Sequence, residues 1–238
     1  MQFLQAISEA LFAPAAAIVV SDVELCARFS QIPPAVLSRL VMHRGLHATD
    51  DSLARPLENT QAAYERAWAM NRAHHCECDV TMTTDGDIVL SHDDTFERLA
   101  FNATHRLAGR NVVEHSTREL MSLPLKDGSR AALLKEVLAA AARIGEPAHL
   151  VVEIKGKDQA CARKLAKFLS DEAELARHVS VVMGFDPATV HAYNAVKGKV
   201  PALVMLLTQQ ASRREFPTDA CLDLANRNVV ASRSALRR

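Results

Sequence analysis

The sequence predicts an α/β protein built from parallel βα units, and three observations carry that prediction. From about residue 40, short apolar runs alternate with stretches of helical period, the pattern of strands joined by crossover helices. Several of those runs stop abruptly at charged residues. An Asp85-Gly86 pair separates two of them, a hairpin signal, because glycine accepts the positive φ of a tight turn.

The elements follow in order. Residues 1–39 read as a peripheral helical extension interrupted by Pro33-Pro34, and residues 40–238 as the main domain. Candidate strands are 40–43, 76–83, 88–92, 150–155, 179–185 and 202–207. A helix over 59–71 starts at a cap-like Asn59-Thr60 and carries Tyr64, Ala67 and Trp68 on one face. A second, 133–144, is rich in Ala and Leu and stops at Gly145. A third, 161–175, follows a Lys/Asp turn, and a fourth, 186–196, opens on Asp186-Pro187, a good start signal. Residues 98–128 are polar and weakly periodic, and read as an excursion from the βα pattern.

Composition narrows the function classes. The chain has 238 residues, enough for one large domain or two small ones, and 49% of them are hydrophobic. Charge is balanced, 28 basic against 28 acidic, with one Trp and two Tyr. A dedicated nucleic-acid binder would need a basic surface or aromatic stacking platforms, so none is expected. A local basic pocket for a single phosphate is compatible with that balance. The five cysteines, Cys26, Cys76, Cys78, Cys161 and Cys221, are odd in number and irregular in spacing, which favours a reducing, cytoplasmic setting over a disulfide framework. No apolar run reaches the roughly 18 residues of a membrane span. Residues 11–20 have the small apolar character of a signal-peptide core, but no Lys or Arg precedes them and Glu9 stands where positive charge belongs. An N-terminal helix is the preferred reading.

The most informative segment is 76–94, CECDVTMTTDGDIVLSHDD. Strand side chains alternate faces, so Glu77 and Asp79 share one side while Cys76 and Cys78 take the other. A turn symmetric about Asp85-Gly86 places Asp79 opposite His92, on the same side as the two acids. A three-residue loop would shift the pairing by one. A solvated surface hairpin would explain the acids too. But carboxylates crowded on an inner strand need a cation or strong donors to stay ionised. A soft zinc cluster of His74, His75, Cys76 and Cys78 is disfavoured, because neighbours on a strand point apart.

Two further strand ends carry chemistry. Glu153 and Lys155 are two apart and so share a face, where a barrel would direct them to its active-site end; a strand simply emerging into solvent reads the same way. His43 and Arg44 end the first strand, and Gly45 frees the following turn. The planar fork of Arg44 suits a phosphate. Glu58 serves either as a supporting residue or as a helix N-terminal charge.

These motifs, in this order, resemble the glycerophosphodiester phosphodiesterase family: His43-Arg44-Gly45, Pro56 to Thr60, Glu77 with Asp79, the Asp85-Gly86 turn, His92-Asp93-Asp94, and Glu153 with Lys155. The family form places Pro directly before the Glu; here Leu57 intervenes. The resemblance implies a TIM-type (βα)8 barrel with a hairpin-containing insertion after its second strand. Barrel strands would then start near 40, 76, 150, 179 and 202, with a sixth at 228–231. The family's last strands, with their Trp-Thr-Val and Thr-Asp-x-Pro signatures, find no match, and the Arg-rich run 233–238 matches nothing. The barrel is therefore expected to be C-terminally incomplete: either the tail substitutes, or an oligomeric partner closes it, or the chain is a truncated product.

The resemblance also implies metal-dependent hydrolysis of a small-molecule phosphodiester to glycerol 3-phosphate and an alcohol. Glu77, Asp79 and Glu153 would hold one divalent cation, Mg²⁺ or Ca²⁺ rather than Zn²⁺, because carboxylates are hard ligands. Arg44 and Lys155 would hold the phosphate, with Glu58 in support. His43 and His92 would act as general acid and base, and the adjacent carboxylates are expected to raise both imidazole pKa values. The same fold would serve a lysophospholipid or sphingolipid substrate, or a non-catalytic relative.

Overall fold

The computed structural model describes residues 41–48, 54–70, 75–145 and 148–207, with scattered positions between 21 and 33. The chain divides into two units, Met1–Pro34 and Ala35–Arg238. The apolar run 11–20, Cys26, Cys221, the candidate strand 228–231 and the run 233–238 lie outside the described residues.

All six expected strands form, shorter than expected at most of their ends. They are β1 (Val41–Met42), β2 (His75–Met82), β3 (Ile88–Leu90), β4 (His149–Ile154), β5 (Val179–Gly184) and β6 (Leu203–Leu206). The sheet runs β1-β2-β4-β5-β6 with every neighbouring pair parallel, and β3 pairs antiparallel with β2. Helices connect the parallel strands, as they must, because a parallel pair needs a crossover. This is the TIM-type arrangement; among the described residues the sheet is an open arc with β1 and β6 at its ends. None of the described helices is long and apolar enough to cross a membrane.

Helix α1 (Gln61–Met70) buries Ala63, Tyr64, Ala67 and Trp68 on one face, as its period predicted. Thr60 caps it, its hydroxyl accepting from the Ala63 amide at 3.3 Å. In the insertion, α2 (Thr117–Met121) follows a Ser116 capping box. Helix α3 (Leu134–Ile144) ends at Gly145, whose φ of 82° no other residue type adopts as easily. The helix expected over 161–175 begins earlier and is broken. Asp158 caps α4 (Gln159–Asp171), accepting from the Cys161 amide at 2.9 Å, and Glu172 then leaves helical geometry before the short α5 (Ala173–Ala176). Helix α6 (Pro187–Val196) starts at Asp186, which accepts from the Thr189 amide at 2.8 Å.

The sheet packs on both faces, so β2 and β4 are buried through most of their length. Cys76 and Cys78 are fully buried free thiols on the face of β2 opposite its acids. On the acid-bearing side, Val151, Val181, Met183, Met205 and Leu207 form an apolar cluster inside the arc. The register explains why it lies beneath the acids. Glu77 pairs with Val151 and Asp79 with Glu153, so the same face of the sheet turns from apolar to acidic toward the C-terminal strand ends.

The segment 98–128 is an excursion, but not a polar one inside. Phe96, Leu99, Leu107, Val112, Leu120 and Leu125 are among the residues of a second apolar cluster that the weak periodicity did not reveal. Leu57, the residue that departs from the family motif, joins this cluster, and its amide donates to Asp127 Oδ2 at 2.9 Å.

Candidate active site

The hairpin turn corrects the predicted register. Val80 pairs with Leu90, Thr81 with Val89 and Met82 with Ile88. The loop is three residues long: the Thr83 amide donates to Asp87 O at 3.0 Å, and Gly86 sits at φ 86°. That is the second common hairpin geometry, one residue longer than the symmetric turn. Asp79 therefore lies opposite Ser91, whose amide donates to Asp79 O at 3.1 Å, and not opposite His92. His92 lies in the loop beyond β3, where a charge on its ring would favour ionised Glu153.

The acids themselves converge as the alternation required. Glu77, Asp79 and Glu153 each offer a carboxylate oxygen, and these atoms lie within 4.8 Å of one another, all in buried residues. It is the one such group of His, Cys, Asp and Glu among the described residues. Burial, and then the charges of Asp79 and Glu153, push the Glu77 carboxyl well above the usual carboxylate range. Burial also raises Glu153, outweighing the opposing hydrogen bond and charge of Lys155. Glu77 Oε1 is buried with no hydrogen-bond partner.

Two cations face this trio. Lys155 Nζ lies 2.9 Å from Glu153 Oε1 and 3.3 Å from Asp79 Oδ1. Burial opposes its charge, but Asp79 and Glu153 together hold its pKa above the ordinary lysine value. Arg44 Nε lies 3.1 Å from Asp79 Oδ2 as a charge contact without hydrogen-bond alignment, and its backbone amide donates to Glu77 Oε2 at 3.1 Å. Three acids against two bases leave a net charge of −1 when all are ionised. A hard divalent cation would relieve the repulsion and use the orphaned oxygen, so this donor set fits one.

Arg44 adopts φ 56°, a region uncommon for a residue with a side chain, and strain of this kind gathers at functional sites. Gly45 follows at φ 79° for a steric reason. A Cβ there would lie 2.8 Å from the backbone carbon of Ala63, in α1. Gly45→Ala should therefore destabilise the chain by about 1–3 kcal/mol through strain and overpacking, a loss that urea unfolding would measure; an unchanged midpoint would contradict the close approach.

The histidines differ from expectation. His43 Nε2 is 3.8 Å from Glu77 Oε2, and its ring is 63% exposed at the mouth of the site. Its pKa is not raised but lowered to about 4, because desolvation in the cleft, and then the Arg44 charge, outweigh Asp79 and Glu58. That direction favours the uncharged ring at neutral pH, and the 63% of the side chain left in water moderates it. A third imidazole, His47, stands beside it; burial lowers its pKa, against its bond to Gly45 O at 3.1 Å.

Three contributors were not singled out from the sequence. Asn59, read as part of a helix cap, has φ 54° and is turned inward instead. Its Nδ2 donates to Asp79 Oδ2 at 2.9 Å, while its Oδ1 accepts from the Tyr64 hydroxyl at 2.7 Å. Arg98 and Asp93 belong to the insertion: Arg98 donates to Glu58 at 2.6 Å and to Asp93 at 2.7 Å. Glu58 thus stands between Arg44 and Arg98. Burial raises its carboxyl, but the hydrogen bonds of Arg98 and the charge of Arg44 bring it below its usual value. Only the Asn after Glu58 and the Asp after His92, both within the motifs, offered a signal.

An arc of parallel strands with acids and bases gathered at its C-terminal ends defines a TIM-type barrel with a cation-accepting site. The chain belongs to the glycerophosphoryl diester phosphodiesterase family, which matches residues 43–234. Among solved structures, a glycerophosphodiester phosphodiesterase from Parabacteroides distasonis is similar at 21% identity and TM-score 0.56, over 73% of this chain and 66% of that one. One from Thermotoga maritima is similar at 23% identity and TM-score 0.52, over 72% and 62%. An Oleispira antarctica phosphodiesterase in complex with the product sn-glycerol-3-phosphate is similar at 18% identity and TM-score 0.54, over 73% and 66%. The chain spans slightly under two thirds of the length of each of these three. No curated protein matches it.

Proposed function

We propose that the chain hydrolyses a glycerophosphodiester to glycerol 3-phosphate and an alcohol, using one divalent cation, Mg²⁺ or Ca²⁺, held by Glu77, Asp79 and Glu153. The observation that carries this reading is the trio of buried carboxylates within 4.8 Å, faced by Lys155 and Arg44 at the strand ends. Family membership and the product bound to the Oleispira antarctica enzyme support the substrate class.

The cation, when bound, supplies positive charge against the phosphate and offsets what develops there during displacement. The remaining work falls to this chain's own side chains. Arg44 and Lys155 hold phosphate oxygens, exchanging carboxylate contacts for substrate. Asn59, itself held by Tyr64, keeps Asp79 in place. Water adds to phosphorus as the bond to the alcohol oxygen breaks, so one proton must leave the water and one must reach the alcohol. His43, uncharged at neutral pH, suits the accepting role. His92, backed by the Asp93 carboxylate, suits the donating one. None of these roles falls to a residue of the segment 1–39, which we read as an extension.

The test is release of glycerol 3-phosphate from glycerophosphocholine by the purified chain, with Mg²⁺ or Ca²⁺ and with chelator. Cation-dependent release is expected, and Glu153→Gln should abolish it together with any cation-induced rise in Tm. Release that ignores chelator, or a Glu153→Gln variant that still responds to cation, would contradict the assignment. Hydrolysis of lysophosphatidylcholine in preference to glycerophosphocholine would move the substrate to the lysophospholipid class.

A further inference from the structure

The site contains a line of contacts of which the roles above use only the His92–Asp93 end. Arg98 Nη2 donates to Glu58 Oε1 at 2.6 Å and Nη1 to Glu58 Oε2 at 3.0 Å. Its remaining nitrogen, Nε, donates to Asp93 Oδ2 at 2.7 Å. The other oxygen of Asp93 lies 2.7 Å from His92 Nδ1. On the far side, Glu58 Oε1 also accepts from Arg44 Nη1 at 3.0 Å. One guanidinium from the insertion thus joins the acid behind Arg44 to the acid behind His92.

The chemistry of this chain fixes a proton. Burial raises the Asp93 carboxyl, but the hydrogen bonds from Arg98 and His92 outweigh it and hold the group ionised. An ionised carboxylate can only accept, so His92 Nδ1 carries the hydrogen. In the neutral ring Nε2 is then the bare nitrogen, so the proton that His92 gives to the alcohol is one it has first taken up at Nε2. A planar fork that binds one carboxylate with two nitrogens and a second with the third fixes both acids in one plane, which a lysine ammonium cannot do.

We propose that Arg98 is a positioning residue for the hydrolysis: through Asp93 it sets the orientation and tautomer of His92, and through Glu58 it holds Arg44. The kinetic part of this inference rests on the function proposed above; the tautomer does not. The bland alternative is a salt bridge that merely pins the insertion. Arg98 is 48% exposed and Glu58 only 8%, but Glu58 keeps its Arg44 partner when Arg98 is cut back, so the loss of stability should be modest. A purely structural role would therefore leave a small change in Tm and nothing else.

The experiment uses the full chain, with ¹⁵N-labelled histidine and His92→Ala to assign the ring signals, and glycerophosphocholine with saturating Mg²⁺ as the kinetic probe. The expected wild-type signal for His92 is the Nδ1–H tautomer. In Arg98→Ala that signal should shift toward Nε2–H, and kcat should fall by about 10- to 100-fold, with a Tm change of no more than about 2 °C. Arg98→Lys should not restore the rate. Millimolar guanidinium should recover part of the kcat of Arg98→Ala and none of that of His92→Ala. A wild-type His92 in the Nε2–H form overturns the proposal, as does an Arg98→Ala variant in which either the tautomer or kcat is unchanged, or in which activity falls only in step with unfolding. If the wild-type chain releases no product, the function fails, and the tautomer readout still decides whether Arg98 positions the ring.

Discussion

Asp79→Ala should cost both stability and cation response, with the largest combined effect of any single change in this protein. The residue is 1% exposed and contacts Arg44, Lys155 and Asn59 at once. Removing it leaves two cations facing each other in a buried site with less compensation. Truncating one partner of a buried charged group costs roughly 3–5 kcal/mol; Lys155 keeps 26% of its side chain in water, which favours the lower end. For a chain of this size that is a fall in Tm on the order of 10 °C. The variant should also lose any rise in Tm on adding Ca²⁺ or Mg²⁺, because one of the three ligands is gone. Calorimetry with and without cation measures both. A variant that melts like the wild type and still gains from Ca²⁺ would show that Asp79 is neither a keystone of the charge network nor a ligand.

His92→Ala should separate chemistry from stability. The side chain is 35% exposed and touches the protein through Asp93, so its loss should leave Tm nearly unchanged. Removing a general acid or base typically costs 10²- to 10⁴-fold in rate, and a kcat loss on that scale is expected with glycerophosphocholine. His43→Ala, beside Glu77, should behave alike. Turnover near wild type in both variants would remove proton transfer by imidazole from the mechanism.

Much of this site was legible because it depends on local rules. Period-two alternation put Glu77 and Asp79 on one face of β2 and the cysteines on the other. Apolar runs that end in charge marked Glu153 with Lys155 and His43 with Arg44. Two kinds of information were not local. Asp85-Gly86 fits a two-residue or a three-residue loop, and only the bonds across the hairpin decide between them. The contacts of Arg98 with Glu58 span 40 residues, and those of Asn59 with Asp79 span 20. No spacing rule pairs such positions. The His43 pKa failed for a third reason. The sequence displays its charged neighbours but not how partial burial and the adjacent Arg44 charge together outweigh the acids.

Strand β2 has its first residues joined to β1 and its last to β3 along one edge, while β4 occupies the other. The excursion after β2 is thus not an ornament hung on a finished barrel. The hairpin arm that opens this insertion, β3, completes the ladder at the very rung where Asp79 sits, through the Ser91 amide. Shortening it in an engineered variant would unzip the acid-bearing strand from one side, so changes in the length of this segment carry over directly to how firmly the carboxylates are gripped.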